Sequence, residues 1–496
     1  MPASQENNLI NSVTRGAIRA PRFLFLLNSK SPNKQENADM KKYLSLDKSF
    51  MLRHSASESV LHSLRTGATY ILFDDQIELI YLLNGAKTLQ QIIYLYSKSS
   101  RNKVVELLAK LKQVGALSFT DKPQPRTFIT DKVPDHRLEA VHLEASAECN
   151  MRCVHCYQGD LIASGLKLNL TEIISLLDQM QRMQVNNIGI SGGEPLMMKN
   201  LDVVLRASEE RNIRISALFT NGLLINEKFV QTVRSLLSKF PVFVSLDSIP
   251  GNTFAFRGFS GGESHRILSK IIDNLRTLVQ FGIPVTVNTV INLENIEHLG
   301  KMYDLMIECG VKSWRLGFPK PTTLFQLRGA SFNPGWQMIA ERCLPLLGRH
   351  LANGSPFSLQ IEYLFREVLF KQGLQILSDQ DYVCDYEGRR RECCVKPNGD
   401  VVSCAYCTEI PVGNIRKTSL WDVWYSKAMQ EIKTIRIGDV EGCRGCDLRS
   451  LCGTGCRANA YFLHGNFRHA KDDYACEAVR FFKEKVIPLL KIHGVV

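Results

Sequence analysis

The sequence predicts an α/β protein in three parts: a small α+β unit in front, a parallel-sheet core of repeated βα units, and a cysteine-rich C-terminal region. Three observations carry this reading. Strand-like runs alternate with amphipathic helical stretches from residue 139 to about 317, ten of the 15 cysteines follow residue 383, and a compact helical pattern occupies residues 45–120. A chain of 496 residues is too long for one domain, and 45% apolar content is ample for several cores.

Within the core, Ile188-Gly189-Ile190, the run ending at Thr220-Asn221-Gly222, Val242 to Asp247 and Val285 to Val290 read as buried strands. The stretches 171–184, 225–238 and 267–281 between them have helical periodicity. Alternation of this kind builds a parallel sheet with its chemistry at the carboxyl ends of the strands. Trp314 and Arg315 close a later run before Gly317, either facing a cavity there or serving as core and rim.

Cys149, Cys153 and Cys156 stand at CxxxCxxC spacing. Three thiolates can hold three corners of a four-iron cluster and leave the fourth iron open to something other than protein. A structural zinc site would want four protein ligands, and His155 is too close to Cys156 to complete one. The C-terminal region carries Cys384-x14-Gly399-x4-Cys404, then Cys443, Cys446, Cys452 and Cys456 as CxxCxxxxxCxxxC, then Cys476. A zinc ribbon of Cys443, Cys446, Cys452 and Cys456 is the simpler alternative. Cys309 and Cys343 lie in apolar helical patterns and read as buried, inert thiols.

The triplet resembles the cluster motif of the radical S-adenosylmethionine (SAM) enzymes, and Gly192-Gly193-Glu194-Pro195 resembles the GGEP motif of the same family. The resemblance implies a partial (βα)6 barrel, with SAM chelated by the open iron. It also implies SAM contacts from Gly192, Gly193, Glu194, Ser245 and Arg266, the glycines because a β-carbon would obstruct approach to the SAM ammonium. The seven-cysteine order from Cys384 to Cys476 resembles the SPASM extension, which implies two auxiliary four-iron clusters and so three [4Fe-4S] clusters in all. By that resemblance Cys443, Cys446, Cys452 and Cys476 hold the outer cluster, and Cys384, Cys404 and Cys456 the inner one. Cys393, Cys394 and Cys407 are candidates for the inner cluster's last position, with an open iron as the other possibility.

Residues 1–44 read as a flexible arm, 45–120 as the front unit, 121–138 as a linker, 139–345 as the barrel and 346–496 as the auxiliary-cluster domain. In the front unit Ser49 to Arg53 starts as a strand, a helix through Leu83 stops at Asn84-Gly85, Thr88 caps a second, and residues 102–114 form a third stopped at Gly115. This winged-helix-like pattern resembles the RiPP recognition element of enzymes that mature ribosomally made peptides. The resemblance implies a leader peptide that adds a strand to the sheet and lies against the third helix, with residues 103–112 as part of the groove.

The expected function is therefore a radical SAM peptide maturase, in which a 5′-deoxyadenosyl radical abstracts hydrogen and a thioether, or a carbon–carbon crosslink, closes. A thioether is the first choice, because a substrate thiolate could ligate an open auxiliary iron. A precursor peptide with its leader and a reducing flavodoxin or ferredoxin are the implied partners. Anaerobic sulfatase maturases, which form formylglycine, share the motifs but commonly carry an acidic residue after the cysteine matching Cys404; here it is Ala405. An iron–sulfur winged-helix DNA-binding redox regulator, or a plain electron carrier, would leave Gly192 to Glu194 and Ser245 without a purpose. The net charge of +12 is spread along the chain rather than concentrated in one recognition helix, which disfavours nucleic acid. Phe23 to Leu27 is too short an apolar run for a signal peptide and no run reaches transmembrane length, so a reducing cytoplasm is expected. No residue declares itself as the one that quenches the radical.

Overall fold

The computed structural model describes residues 39–134, 136–366, 376–384 and 389–495, so nearly all of the expected arm lies outside the described residues. The chain divides into two compact units, residues 1–137 and 138–496.

The first unit contains six short strands: β1 (Tyr43–Leu46), β2 (Phe50–His54), β3 (Ser59–Ser63), β4 (Thr69–Leu72), β5 (Asn84–Thr88) and β6 (Leu117–Thr120). They make two antiparallel sheets, in the orders β5-β1-β6 and β2-β3-β4. Helices Asp74–Leu82, Leu89–Tyr94 and Arg101–Gln113 fall where the sequence puts them. Thr88 caps the second helix, its Oγ1 accepting from Gln91 N–H at 3.3 Å while Gln91 Oε1 accepts from Thr88 N–H at 2.9 Å. β1 starts inside the expected arm, and Asn84-Gly85 opens strand β5 as well as ending a helix.

Residues 121–134 are not a loose linker. Gln124 N–H donates to Gly85 O and Arg126 N–H to Asn84 O, while Val133 bridges Ser55. Gly85 must be glycine here: its φ is +80° and a β-carbon would come within 2.3 Å of Gln124 O. On the third helix Val104, Val105, Leu107, Leu108 and Leu111 are buried in the unit's own core. Its leucines therefore pack their own domain.

The second unit is one continuous sheet of eleven strands. β7 (Ala140–Glu144), β8 (Asn187–Ser191), β9 (Arg214–Thr220), β10 (Val242–Ser245), β11 (Val285–Val290), β12 (Ser313–Gly317) and β13 (Ser358–Ile361) run parallel. Helices Leu170–Arg182, Leu201–Glu210, Glu227–Ser235, Gly261–Gln280, Leu299–Glu308 and Trp336–Ala352 connect them. The six expected βα repeats are present as a partial barrel, and β13 adds a seventh parallel strand. The expected boundary at 345 falls inside the helix Trp336–Ala352, which carries Pro345 internally; a proline there reads as a break in the sequence. No described helix is long and apolar enough to cross a membrane.

β14 (Phe365–Arg366) folds back on β13 at one edge. At the other edge β7 pairs in parallel with β15 (Glu392–Val395), followed by antiparallel β16 (Asp400–Val402) and β17 (Pro411–Asn414). The cysteine-rich region thus extends the barrel sheet rather than sitting beside it. At this seam Lys396 Nζ, 1% exposed, meets both oxygens of fully buried Glu144 at 3.1 and 3.0 Å, and donates to Ala405 O at 2.7 Å. Gln158 Nε2 at 2.8 Å and the Cys394 thiol at 3.5 Å complete the Glu144 carboxylate. Burial works against the Lys396 charge, but Glu144 outweighs it and holds the ammonium protonated. Removing one partner leaves an uncompensated charge in the seam. We therefore expect Lys396→Met to cost the cluster-free protein about 3–5 kcal/mol in denaturant unfolding, and the Lys396→Met/Glu144→Gln double variant to recover much of that loss.

Candidate functional site

The carboxyl ends of the parallel strands open into a cavity of about 590 Å³. Alternation along each strand decides what faces it. Ser245, Asn288, Arg315 and Gln360 are in register on four successive strands and all line the wall. Trp314 is fully buried on the other face, its Nε1 donating to Thr289 Oγ1 at 2.9 Å, so the Trp314-Arg315 pair splits into core and cavity. Below, Phe219 stacks on Phe243 with centroids 4.5 Å apart, and the Arg315 guanidinium lies 5.5 Å from the Phe243 ring.

Cys149, Cys153 and Cys156 all line this cavity, on the loop after β7. The loop is held from two sides. On one, Gly193 N–H donates to Ser146 O and Glu194 N–H to Glu148 O, both at 2.7 Å. Gly192 has φ +133°, and a β-carbon on Gly193 would come within 2.1 Å of Glu148 O. Both glycines line the cavity, but what a side chain would meet first is the loop backbone, so they serve loop closure before any cofactor contact. Glu194 is turned inward: its carboxylate accepts from Leu196 N–H, Thr220 Oγ1 and Asn221 N–H at 3.0, 2.7 and 2.8 Å, with 1% exposure. It positions Asn221, whose Nδ2 donates to Asn150 Oδ1 at 2.7 Å within the cysteine loop.

On the other side Val154 N–H donates to Phe256 O, the His155 ring stacks on Phe256 at 4.0 Å, and Arg257 Nη1 lies 3.8 Å from Cys153 Sγ. His155 is thus a packing residue, and burial pushes its pKa well down. Arg257 is locked by Asp247 at 2.5 Å; burial opposes its charge, but Asp247 and Cys153 hold it firmly cationic. Asp247 is anchored in turn by Val290 N–H at 2.7 Å. Arg266, expected beside the cofactor, is instead on the outside of helix Gly261–Gln280, with its side chain 78% exposed and 3.9 Å from Glu263. A cation beside the triplet is Arg257, nine residues earlier. Its signal was faint: an Arg-Gly pair after a turn, where Gly258 at φ +89° approaches Arg152 O.

Seven further thiols form two groups. Cys384, Cys404 and Cys456 line the same cavity as the triplet and act on one another electrostatically. Besides burial, Cys476 and Cys446 lie close enough to Cys443 to raise it, and Cys476 and Cys443 do the same to Cys452. The four ribbon cysteines are therefore divided, Cys456 going with the inner group, and among the described residues no three His, Cys, Asp or Glu side chains converge on a single metal-ion position. Cys384 (φ +62°), Thr454 (φ +68°) and Tyr363 (φ +60°) all take left-handed backbone without being glycine, and all lie close to the inner group. Such conformations persist where the surroundings over-determine them. Lys320, paired with Glu362, faces the cavity near Cys456. Cys309 and Cys343 are buried in the barrel core.

Two family models match the chain in the same places. Residues 143–306 match the Radical SAM superfamily and residues 384–447 the SPASM iron-sulfur cluster-binding domain. Fold and matches together define a radical SAM enzyme whose cofactors are SAM and [4Fe-4S] clusters. The cavity fits them: its lining holds both the thiol triplet and the inner thiol group, and its volume of about 590 Å³ is that of a small-molecule site. Similar proteins include the PqqA peptide cyclase of Granulibacter bethesdensis, 24% identical over 339 residues, covering 65% of this chain and 83% of that protein. The AdoMet-dependent heme synthase of Methanosarcina barkeri is 25% identical over 343 residues, 65% of this chain and 92% of its own. Among solved structures, Streptococcus suis SuiB bound to precursor peptide SuiA superposes with a TM-score of 0.60 at 14% identity, over 87% of this chain and 99% of SuiB.

Two outcomes follow from this geometry. Gly193→Ala should displace the cysteine loop and lose the triplet's cluster, so anaerobically reconstituted protein should hold about eight rather than about twelve iron atoms, measured by iron analysis. Burial pushes the Cys156, Cys384 and Cys452 thiols up to about 12. The cluster-free fold thus prefers them protonated, a stabilisation fully present below the ordinary thiol value of 9.0 and lost as pH rises towards 12. The thermal midpoint of cluster-free protein should fall between pH 8.5 and 10.5, whereas that of loaded protein, whose thiolates are already ligating, should fall less.

Proposed function

We propose that this enzyme matures a ribosomally synthesised peptide, closing a thioether or carbon–carbon crosslink. The observation that carries the reading is that one cavity is lined by both Cys149/Cys153/Cys156 and Cys384/Cys404/Cys456. When bound, SAM and the clusters supply a 5′-deoxyadenosyl radical for hydrogen abstraction and a route for the electron released afterwards. The chain's own part is to place the reacting groups. Arg257 and Asp247 fix a positive charge at the triplet, the Ser245–Asn288–Arg315 row offers donors along the cavity wall, and Lys320–Glu362 adds an ion pair to the lining.

Peptide cyclase and precursor-bound relatives support a peptide substrate. The first unit supports a leader-binding role in one respect: among the described residues β4 pairs with β3 alone, which leaves a sheet edge able to accept an added strand. The relative that makes heme favours a second reading, a porphyrin substrate, since it matches over a comparable share of the chain. Formylglycine formation is disfavoured by Ala405 at the position where an acid is expected.

The test is anaerobic incubation with dithionite, SAM and the leader-bearing small peptides encoded beside the gene. Wild type should form 5′-deoxyadenosine and remove two hydrogens from one peptide, and the Cys149/Cys153/Cys156→Ala variant should do neither. SAM cleavage that leaves every peptide unchanged but decarboxylates a porphyrin would replace the proposal with the second reading.

A further inference from the structure

The three candidates for the last ligand of the inner cluster do not stand alike. Cys393 and Cys394 are neighbours on β15, pairing with Val141 and His142 of β7, so their side chains point to opposite faces of the sheet. Cys393 is packed in the barrel's hydrophobic core. Cys394 is near Cys404 but directs its thiol to Glu144 Oε1 at 3.5 Å, inside the seam, and does not line the cavity.

Cys407 differs in facing the cavity and in where its thiol is directed. It lines the cavity together with Cys384, Cys404 and Cys456. Its N–H donates to Cys404 O at 2.9 Å, closing a tight Cys404-Ala405-Tyr406-Cys407 turn, and its thiol is hydrogen-bonded to the Cys404 sulfur. It packs in one cluster with Cys404, Cys456 and Ala458, which Cys394 also joins from the seam side. The turn is also braced from outside: Lys433 Nζ donates to Ser403 O at 2.8 Å and Lys396 Nζ to Ala405 O at 2.7 Å, so the carbonyls on either side of Cys404 are both fixed by buried ammonium groups. Two cysteines at CxxC spacing are a common way to hold two corners of one four-iron cluster.

We infer that Cys407 is the fourth thiolate of the inner auxiliary cluster, with Cys384, Cys404 and Cys456, and that this cluster is closed to the substrate. The inference rests on reading those three cysteines as cluster ligands. Each thiol releases its proton to solvent as it binds iron, and no change in iron oxidation state is required. A closed cluster can still take up an electron, but a substrate sulfur then reaches its carbon partner without iron ligation, contrary to the route that the sequence alone suggests.

The experiment uses the full chain carrying Cys149→Ala, Cys153→Ala and Cys156→Ala, so that only the auxiliary clusters remain. Iron content and the EPR spectrum of the reduced protein are measured with and without ¹³C-cyanide, a ligand for an open iron. The background should hold about eight irons with a spectrum indifferent to cyanide. Adding Cys407→Ala should either make the spectrum cyanide-sensitive or lower the iron to about four, whereas Cys393→Ala and Cys394→Ala should leave both readouts as in the background. A cyanide-sensitive background overturns the inference, as does a Cys407→Ala protein that keeps its iron and its indifference to cyanide. Cys407→Ser, whose smaller change preserves packing, replaces Cys407→Ala if the latter's cluster-free form lacks the parent's circular dichroism. Because this background cannot cleave SAM, the outcome is independent of which molecule the intact enzyme modifies; a closed eight-iron pair here, with no peptide product from the intact enzyme, would sink the proposed function alone.

Discussion

The arrangement of both thiol groups depends on one buried ion pair, Glu144 with Lys396. Glu144 is the last residue of β7, five residues before Cys149, and its carboxylate also takes Gln158, two residues after Cys156. Lys396 stands just past β15 and holds the carbonyl beside Cys404. One carboxylate and one ammonium therefore set the position of the SAM-cluster loop relative to the inner auxiliary thiols. Desolvating two charges is costly, and the surrounding amide, thiol and carbonyl partners are what make the pair sustainable. Such a pair adds little net stability compared with apolar packing, but it permits only one register between the two strands that carry it.

Around that fixed point the cysteine loop is shaped mostly by backbone. Glycines at 192, 193 and 258 admit main-chain approaches that any side chain would block, and Asn221 and Phe256 complete the clasp. Side-chain chemistry enters where charge is needed. Arg257 supplies a permanent cation next to the Cys153 sulfur, with Asp247 holding its geometry. Placing these groups on strand ends and strand-end loops, rather than on long mobile segments, is what a site with radical chemistry requires of its scaffold.

Much of this was legible because the carriers are local. Cysteine spacing within a few residues, a double glycine at a strand end and the alternation of βα units all lie within short windows, and the structure places them as such. What escaped was non-local or short. Glu144 and Lys396 are 252 residues apart and neither is remarkable by itself. β3 is five residues long with every position buried, so it lacks the alternation that marks a half-exposed strand. The boundary expected at 345 falls within one helix, and the arginine that the resemblance put beside the cofactor, Arg266, is exposed, whereas Arg257 reaches the site through contacts distant in sequence.

The pairing of β7 with β15 bears on how such enzymes can be recombined. A fragment ending after β14 would keep every βα repeat, yet it would expose the backbone of β7 along its whole length and leave Glu144 facing solvent without its lysine. An uncovered parallel strand of that kind invites edge-to-edge association. Chimeras that exchange substrate specificity by swapping C-terminal regions would therefore have to carry β7 and β15 as a matched pair, with the crossover point placed upstream of residue 140 instead of between the two cysteine motifs. The unit of inheritance in this fold is the strand pair, not the domain.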